Sequence, residues 1–245
     1  MKILVCMSVV PDTTTKITFV ENNTKFNTQG VQFIINPYDE VSITRALELT
    51  EKHGGTVSLM HVGTAENDAV IRKGLAIGAH DAYRINADAV DGQFVAEQIA
   101  AFAKDKGFDI IFTGRESIDY NGGQVCGLIA ELLKIPAVNI VTSIEVDGTS
   151  ATLTRDIDGG SEKLNCPLPM VVSAQKDLCE PRIPNMRGIM SARTKPLNVV
   201  EPVSVEAFGS YQRFESPKPK AAVKLIDPEH PEELIQLLRN EAKVI

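Results

Sequence analysis

Apolar positions along this chain follow two rhythms, and the change comes near residue 140. Before it, short and mostly apolar runs alternate with amphipathic stretches. Residues 3–6, 56–62, 82–85 and 110–113 read as strands buried on both faces of a sheet. Residues 38–52, 66–77, 93–106 and 124–133 show helical spacing instead. In the first of these, Val41, Ala46, Leu47 and Leu49 mark an apolar stripe, with Glu48, Glu51 and Lys52 mostly outside it. Strands and helices alternating at this length predict an α/β fold with a doubly wound, mostly parallel sheet and right-handed crossovers.

Between the first strand and first helix, residues 16–20 and 25–27 suit a hairpin across Glu21-Asn22-Asn23-Thr24. Beyond residue 140 the pattern becomes that of an antiparallel β extension. Runs at 140–146 and 151–155 flank Asp147-Gly148, Asp158-Gly159-Gly160 makes a second turn, and 162–165 returns. Residues 170–174 resemble one more buried strand. From Asp177 onward, Pro181, Pro184, Pro196, Pro202, Pro217 and Pro219 forbid a long helix or a central strand. Such a stretch is a linker or an arm that wraps a partner. Residues 231–243 predict a closing helix with Leu234, Ile235, Leu237 and Leu238 on its apolar side, which must cover this core or another subunit.

Composition narrows the class. Of 245 residues 43% are hydrophobic and 23% charged, ordinary values for a globular protein. A net charge of −7 gives no reason to expect nucleic acid or an anionic membrane as partner. Nine Phe, four Tyr and no Trp leave the core to Val, Ile, Leu and Ala. Cys6, Cys126, Cys166 and Cys179 form no CxxC, so they read as unpaired thiols in a reducing compartment. No apolar run approaches the ~20 residues of a membrane span. The first residues look like a buried strand and lack the apolar core of a signal peptide, so a cytoplasmic location without membrane insertion is expected.

The most informative stretch for chemistry runs from Ile110 to Val125. A strand ends at Gly114, a polar loop follows, and a helix opens near Gln124. In an open parallel sheet, ligands sit beyond the carboxyl ends of strands where the strand order reverses. Gly122 and Gly123 leave room for backbone N–H groups to approach a phosphate, which the positive end of the next helix favours. Arg115 could add a bidentate phosphate contact, and Asp119 could accept from a ribose hydroxyl or fix the loop. No GxxxxGK[ST] occurs, and the first strand leads into Ser8-Val9-Val10-Pro11-Asp12-Thr13, without GxGxxG. A second candidate is Asn36-Pro37-Tyr38-Asp39. As a cap and a first-turn proline it is an ordinary helix start; as a sheet-edge turn it lies against an adenine, and spacing does not choose. His53, His61, His80 and His230 are scattered and build no catalytic triad.

Six segments in order resemble the electron-transfer flavoprotein β subunit along essentially the whole chain. They are Met1-Lys2-Ile3-Leu4-Val5-Cys6, Asn36-Pro37-Tyr38-Asp39, and the stretch from Arg72-Lys73-Gly74 to Gly78-Ala79. The others are Gly114-Arg115-Glu116-Ser117-Ile118-Asp119, Arg155-Asp156-Ile157-Asp158-Gly159-Gly160, and Glu180-Pro181-Arg182 through Gly188-Ile189-Met190. The resemblance implies a fold like that of adenine-nucleotide α-hydrolases, and a heterodimer whose α subunit carries the redox-active FAD. It implies a nucleotide-binding domain with its β extension over 1–176, a partner-recognition loop over 177–196, and over 197–245 an arm and helix packing on the α subunit. The chain itself would be no enzyme but part of a carrier, moving electrons from acyl-CoA dehydrogenases to a quinone-reducing or other acceptor.

In the ordinary subfamily the β pocket holds a structural AMP; in the bifurcating subfamily it holds a second, redox-active FAD. Carried over by motif, the pocket comprises Cys6, Asn36, Pro37, Tyr38, Asp39 and Val62. It continues with Gly114, Arg115, Ser117, Asp119, Asn121, Gly122, Gly123, Gln124 and Val125. The bifurcating type usually has Ala and Glu where this chain has Ser42 and Thr44, and an Asp-Thr-Ala-Gln loop where it has Asn121-Gly122-Gly123-Gln124. The missing threonine hydroxyl removes a phosphate donor, which favours AMP, although Asp39 and Arg115 also occur in the bifurcating type. Residues 179–195 resemble the family's recognition loop, a projecting hairpin-like anchor. Met186 stands at its tip, with Ile189 nearby, and Arg182, Arg187 and Arg193 are placed to steer acidic partners. An adenine-nucleotide-hydrolysing enzyme, the alternative from another class, needs a Lys or metal ligands at the phosphates. Lys73 is the nearest candidate and falls in mid-helix.

Overall fold

A computed structural model describes residues 1–220 and 222–245. The first half contains β1 (Lys2–Cys6), β2 (Val9–Pro11), β3 (Phe19–Val20), β4 (Lys25–Phe26), β5 (Phe33–Ile35), α1 (Pro37–His53), β6 (Thr56–Val62), α2 (Asp68–Ile77), β7 (Asp81–Ile85), α3 (Gly92–Ala103) and β8 (Ile110–Gly114). It continues with α4 (Val125–Leu133), β9 (Ala137–Asp147), β10 (Ser150–Ile157), β11 (Gly160–Pro167), β12 (Met170–Ala174), α5 (Met186–Ala192), β13 (Leu197–Val200) and α6 (Pro231–Leu237).

Nine strands form one sheet in the order β11-β10-β9-β12-β8-β1-β6-β7-β13. The β10 strand is antiparallel to β9 and β11, and the pairings from β9 to β13 are parallel. Successive strand residues point to opposite faces, so each central strand feeds two cores. Ile3 and Val5 of β1 pack with Ile43, Leu47, Ile71 and Leu75 from α1 and α2. Leu4 and Cys6 pack with Ile99 and Ile129 from α3 and α4. The expected doubly wound sheet with an antiparallel extension is what the chain forms.

The Pro-rich third holds more structure than its sequence predicts. Between Pro196 and Pro202 lies β13, paired in parallel with β7 from Leu197↔Ala82 to Val200↔Ile85. A proline-flanked strand is tolerated there because it lies at the sheet edge. The expected hairpin-like anchor is corrected too, since its centre is the helix α5. The Asn185 side chain caps this helix by accepting from Gly188 N at 2.8 Å. A Cβ on Gly188 would lie 2.4 Å from Ala76 O, so this helix rests closely on α2. At the other end, α6 is shorter than the expected 231–243, and a wider-wound turn, Leu238–Ala242, follows it. Leu234 and Ile235 stay exposed, so the core of this chain does not cover that apolar side.

Candidate functional site

The chain leaves β1 for β6 on one side and returns to β8 on the other, so the strand order reverses between β1 and β8. A cleft of about 440 Å³ opens there, beyond the carboxyl ends of β1, β6 and β8. Cys6, Asn36, Asp39, Val62 and Gly114, all named for the expected pocket, line it. So do Ser117, Asp119, Gly122, Gln124 and Val125. Pro37 and Tyr38 instead face a neighbouring, mainly apolar cavity of about 1040 Å³ that Phe19, Phe26 and Phe33 also line. Arg115, Asn121 and Gly123 are not brought to the cleft wall. The Arg115 side chain is 39% exposed, and its guanidinium lies 3.9 Å from the Glu116 carboxylate.

The Asn36-Pro37-Tyr38-Asp39 turn does a job that neither sequence reading described. Asn36 makes no side-chain cap to α1. Its Nδ2 donates to Glu116 O at 2.9 Å, and its Oδ1 accepts from Ile118 N at 3.3 Å, across to the loop after β8. The Asp39 Oδ2 accepts from Ser8 N at 2.7 Å, just past the end of β1. Asp39 Oδ1 also lies close against Gly114, where a Cβ would stand 2.4 Å from it. The two side chains thus clasp the ends of β1 and β8, the strands between which the sheet reverses. Burial pushes the Asp39 carboxyl up to about 7, against the opposing polar contacts with Ser8, Asn36 and Gly114. Burial likewise raises the Cys6 thiol, with the Asp39 carboxylate adding to the effect, so Cys6 is no thiolate nucleophile.

Ser42 and Thr44 lie elsewhere. Ser42 Oγ donates to Thr113 O at 2.9 Å inside the α1–β8 packing, and Thr44 Oγ1 accepts from Arg182 N at 3.0 Å. Neither lines the cleft, so these two differences from the bifurcating pattern act on packing.

On the opposite wall stands His61, 5% exposed. Its Nδ1 lies 2.9 Å from Met7 O and its Nε2 2.8 Å from Asn67 Nδ2. The neutral ring that donates from Nδ1 and accepts at Nε2 satisfies both partners, and burial lowers its pKa. A Cβ on Gly63 would sit 2.2 Å from His61 Nε2, so only glycine fits that turn. Arg84 holds the same turn, donating to Gly63 O at 3.1 Å while its Nε pairs with Asp68 at 2.7 Å.

Glu66, Asp88, Asp91, Glu116 and Asp119 all reach the cleft, whereas among the described residues no lysine or arginine lines it. An anion there must therefore be met by backbone N–H groups and neutral side-chain donors such as Thr64, Ser117 and Gln124. The opening of α4 offers such N–H groups, since Gln124 provides no side-chain cap. Burial raises the Asp119 carboxyl, which also accepts from Tyr120 N at 3.0 Å.

Sequence reasoning missed Ser8, Gly63, Asn67, Asp91 and Tyr211 as lining residues. Ser8 and Gly63 were findable, because each closely follows the end of a central strand. Tyr211 gave no local signal.

The 177–196 segment is bolted to α2. Arg72 donates to Ala192 O at 2.7 Å and Lys195 O at 2.6 Å, while Lys195 Nζ donates to Leu75 O at 2.9 Å and Ala79 O at 2.6 Å. Met186 is 74% exposed; Ile189 and Met190 are exposed as well. Arg187 and Arg193 reach solvent, but Arg182 is engaged by Glu51 through two bonds of 2.6 and 2.7 Å. Among the described residues there is no cluster suited to a metal, and no helix long and apolar enough to cross a membrane.

Residues 23–205 match the electron transfer flavoprotein domain. The Bacillus subtilis protein called electron transfer flavoprotein subunit beta is 40% identical over 260 residues, covering 100% of both chains. The protein of that name from Syntrophomonas wolfei is 35% identical, over 100% of this chain and 98% of the relative. The caffeyl-CoA reductase-Etf complex subunit CarD of Acetobacterium woodii is 32% identical, over 81% of this chain and 78% of the relative.

Proposed function

This chain belongs to the electron transfer flavoprotein family, and on that premise we propose that it is a non-catalytic β subunit holding AMP in the cleft at the β1–β8 reversal. Its partner is an α subunit that carries FAD, and FAD supplies the redox chemistry when bound. The pair accepts electrons from acyl-CoA-type dehydrogenases and passes them to a respiratory acceptor such as a quinone reductase.

The observation that carries the nucleotide reading is the cleft itself. It lies at the switch point, with the uncapped start of α4 and the side-chain-free Gly122 on its wall. In this reading the phosphate meets backbone N–H groups, and Asp119 faces the ribose. A cleft of about 440 Å³ suits a mononucleotide better than FAD, a molecule more than twice that size. The neighbouring aromatic-lined cavity, with Tyr38 on its wall, offers an apolar surface to support the partner's flavin. Lys73, which a nucleotide-hydrolysing reading would need at the phosphates, sits on α2 outside the cleft.

Mass identification of nucleotide extracted from the purified heterodimer tests this. One AMP and one FAD per heterodimer are expected. Two FAD and no AMP would overturn the AMP assignment and place the chain with the bifurcating type.

A further inference from the structure

One wall of the cleft comes from far along the chain. Among the described residues, Tyr211 is the only one beyond Val125 that lines it. It belongs to a stretch without helix or strand, 201–220, in which Phe208, Tyr211 and Phe214 punctuate an otherwise largely polar sequence.

Four ties lay this stretch across the body. Gln98, 1% exposed on α3, grips the backbone of Val203 from both sides, donating to its O and accepting from its N, each at 2.8 Å. Next, Gly209 N donates to Asp91 Oδ2 at 2.9 Å, while Asp91 Oδ1 caps α3 by accepting from Phe94 N at 2.7 Å. Tyr211 then stacks on Tyr120 of the loop after β8, with centroids 4.9 Å apart and planes at 18°. Finally Phe214 stacks on Phe19 at 5.0 Å, and its backbone N donates to Asn23 O at 2.7 Å. Asp91 stands on one rim of the cleft and Tyr120 on another, so the stretch passes from rim to rim across the mouth.

These ties are few and most are solvent-exposed, with both Tyr120 and Tyr211 54% exposed. Segments held so lightly open locally without unfolding the body. We propose that residues 203–214 form a strap over the nucleotide cleft, and that Tyr211, locked by its stack on Tyr120, is a binding residue that controls escape of the bound nucleotide. The inference rests on the nucleotide reading above. It assigns the start of the C-terminal arm to the site of this chain itself.

The test uses the assembled heterodimer loaded with isotope-labelled AMP and chased with unlabelled AMP. Tyr211→Ala should release AMP about tenfold faster, since an aromatic stack and part of the wall are lost together. Tyr211→Phe keeps the ring and should release at the wild-type rate. Tyr120→Ala should speed release as Tyr211→Ala does, and the double variant should add little, because both changes break one stack. If Tyr211→Ala fails to assemble, Gly209→Pro removes the N–H given to Asp91 and should speed release without altering the wall. Wild-type release from Tyr211→Ala, or from its Gly209→Pro substitute, overturns the strap. A wild-type heterodimer that holds no adenine nucleotide sinks the nucleotide reading instead, and the two failures are thereby distinguished.

Discussion

A side chain at position 114 would collide with Asp39: a Cβ built on Gly114 would stand 2.4 Å from Asp39 Oδ1, 2.8 Å from Tyr38 Cβ and 3.0 Å from Asn36 Nδ2. The bare backbone at the end of β8 is therefore what lets the first turn of α1 close against it. In this way the strand end, the helix start and the end of β1 become one rigid floor to the cleft.

Gly114→Ala should separate these elements. The expected loss is about 1–3 kcal/mol, as for other overpacked sites. A lowered melting temperature of the assembled protein, with less AMP retained, is the outcome sought. An unchanged melting temperature would show that the turn can yield at little cost.

The Asp39 carboxyl should make stability fall with rising pH. Its folded value, about 7, lies above the ordinary 3.8, so the folded state binds the extra proton between them. The contribution is complete below about pH 4 and lost as pH rises through about 7, with a slope of at most ~1.4 kcal/mol per pH unit. His61, held below its ordinary 6.5 by burial, works the other way: stability is lost as pH falls below that value. Denaturant titrations of wild type and Asp39→Asn at pH 5 and pH 7 separate the two. The wild type should lose more between these pH values than the variant, and equal losses would refute the assignment.

Gly123→Val should lower AMP content and weaken heterodimer assembly without altering the chemistry of FAD wherever the dimer forms. A Cβ at Gly123 would meet only Arg115 O, at 3.3 Å, so the disturbance falls on the loop that leads into α4 and spares the core. Full AMP occupancy in the variant would remove this loop from the site.

Met186→Ala should slow electron transfer from an acyl-CoA dehydrogenase more than tenfold at limiting carrier. A central apolar anchor of this kind can carry ~2 kcal/mol of binding. With Met186 74% exposed at the start of α5, its loss should change stability by less than about 0.5 kcal/mol. In that role Arg187 and Arg193 would supply the steering, because Arg182 is already paired with Glu51, so high salt should weaken wild-type docking. Wild-type rates in the variant would end the docking role.

Most of the fold could be read from the sequence because its signals are local. Strand periodicity and helix spacing depend on near neighbours, and they placed β6 and β12 at the bounds the structure has. Motif and strand-end reasoning likewise named Cys6, Asp39, Gly114 and the loop into α4, which the structure places on the wall of one cleft. What tertiary structure decided are the features whose partners lie far away in the chain. Whether Asn36 caps its own helix or reaches residues 116 and 118 depends on a strand more than 70 residues later. The elements β13 and α5 exist because β7 and α2 offer them an edge and a surface, which the prolines around them conceal. Tyr211 reaches the cleft only because Tyr120, Asp91 and Gln98 catch a stretch with no structure of its own. A contact across a hundred residues leaves no periodic trace in sequence, since its energy resides in a surface that exists only once the sheet has formed.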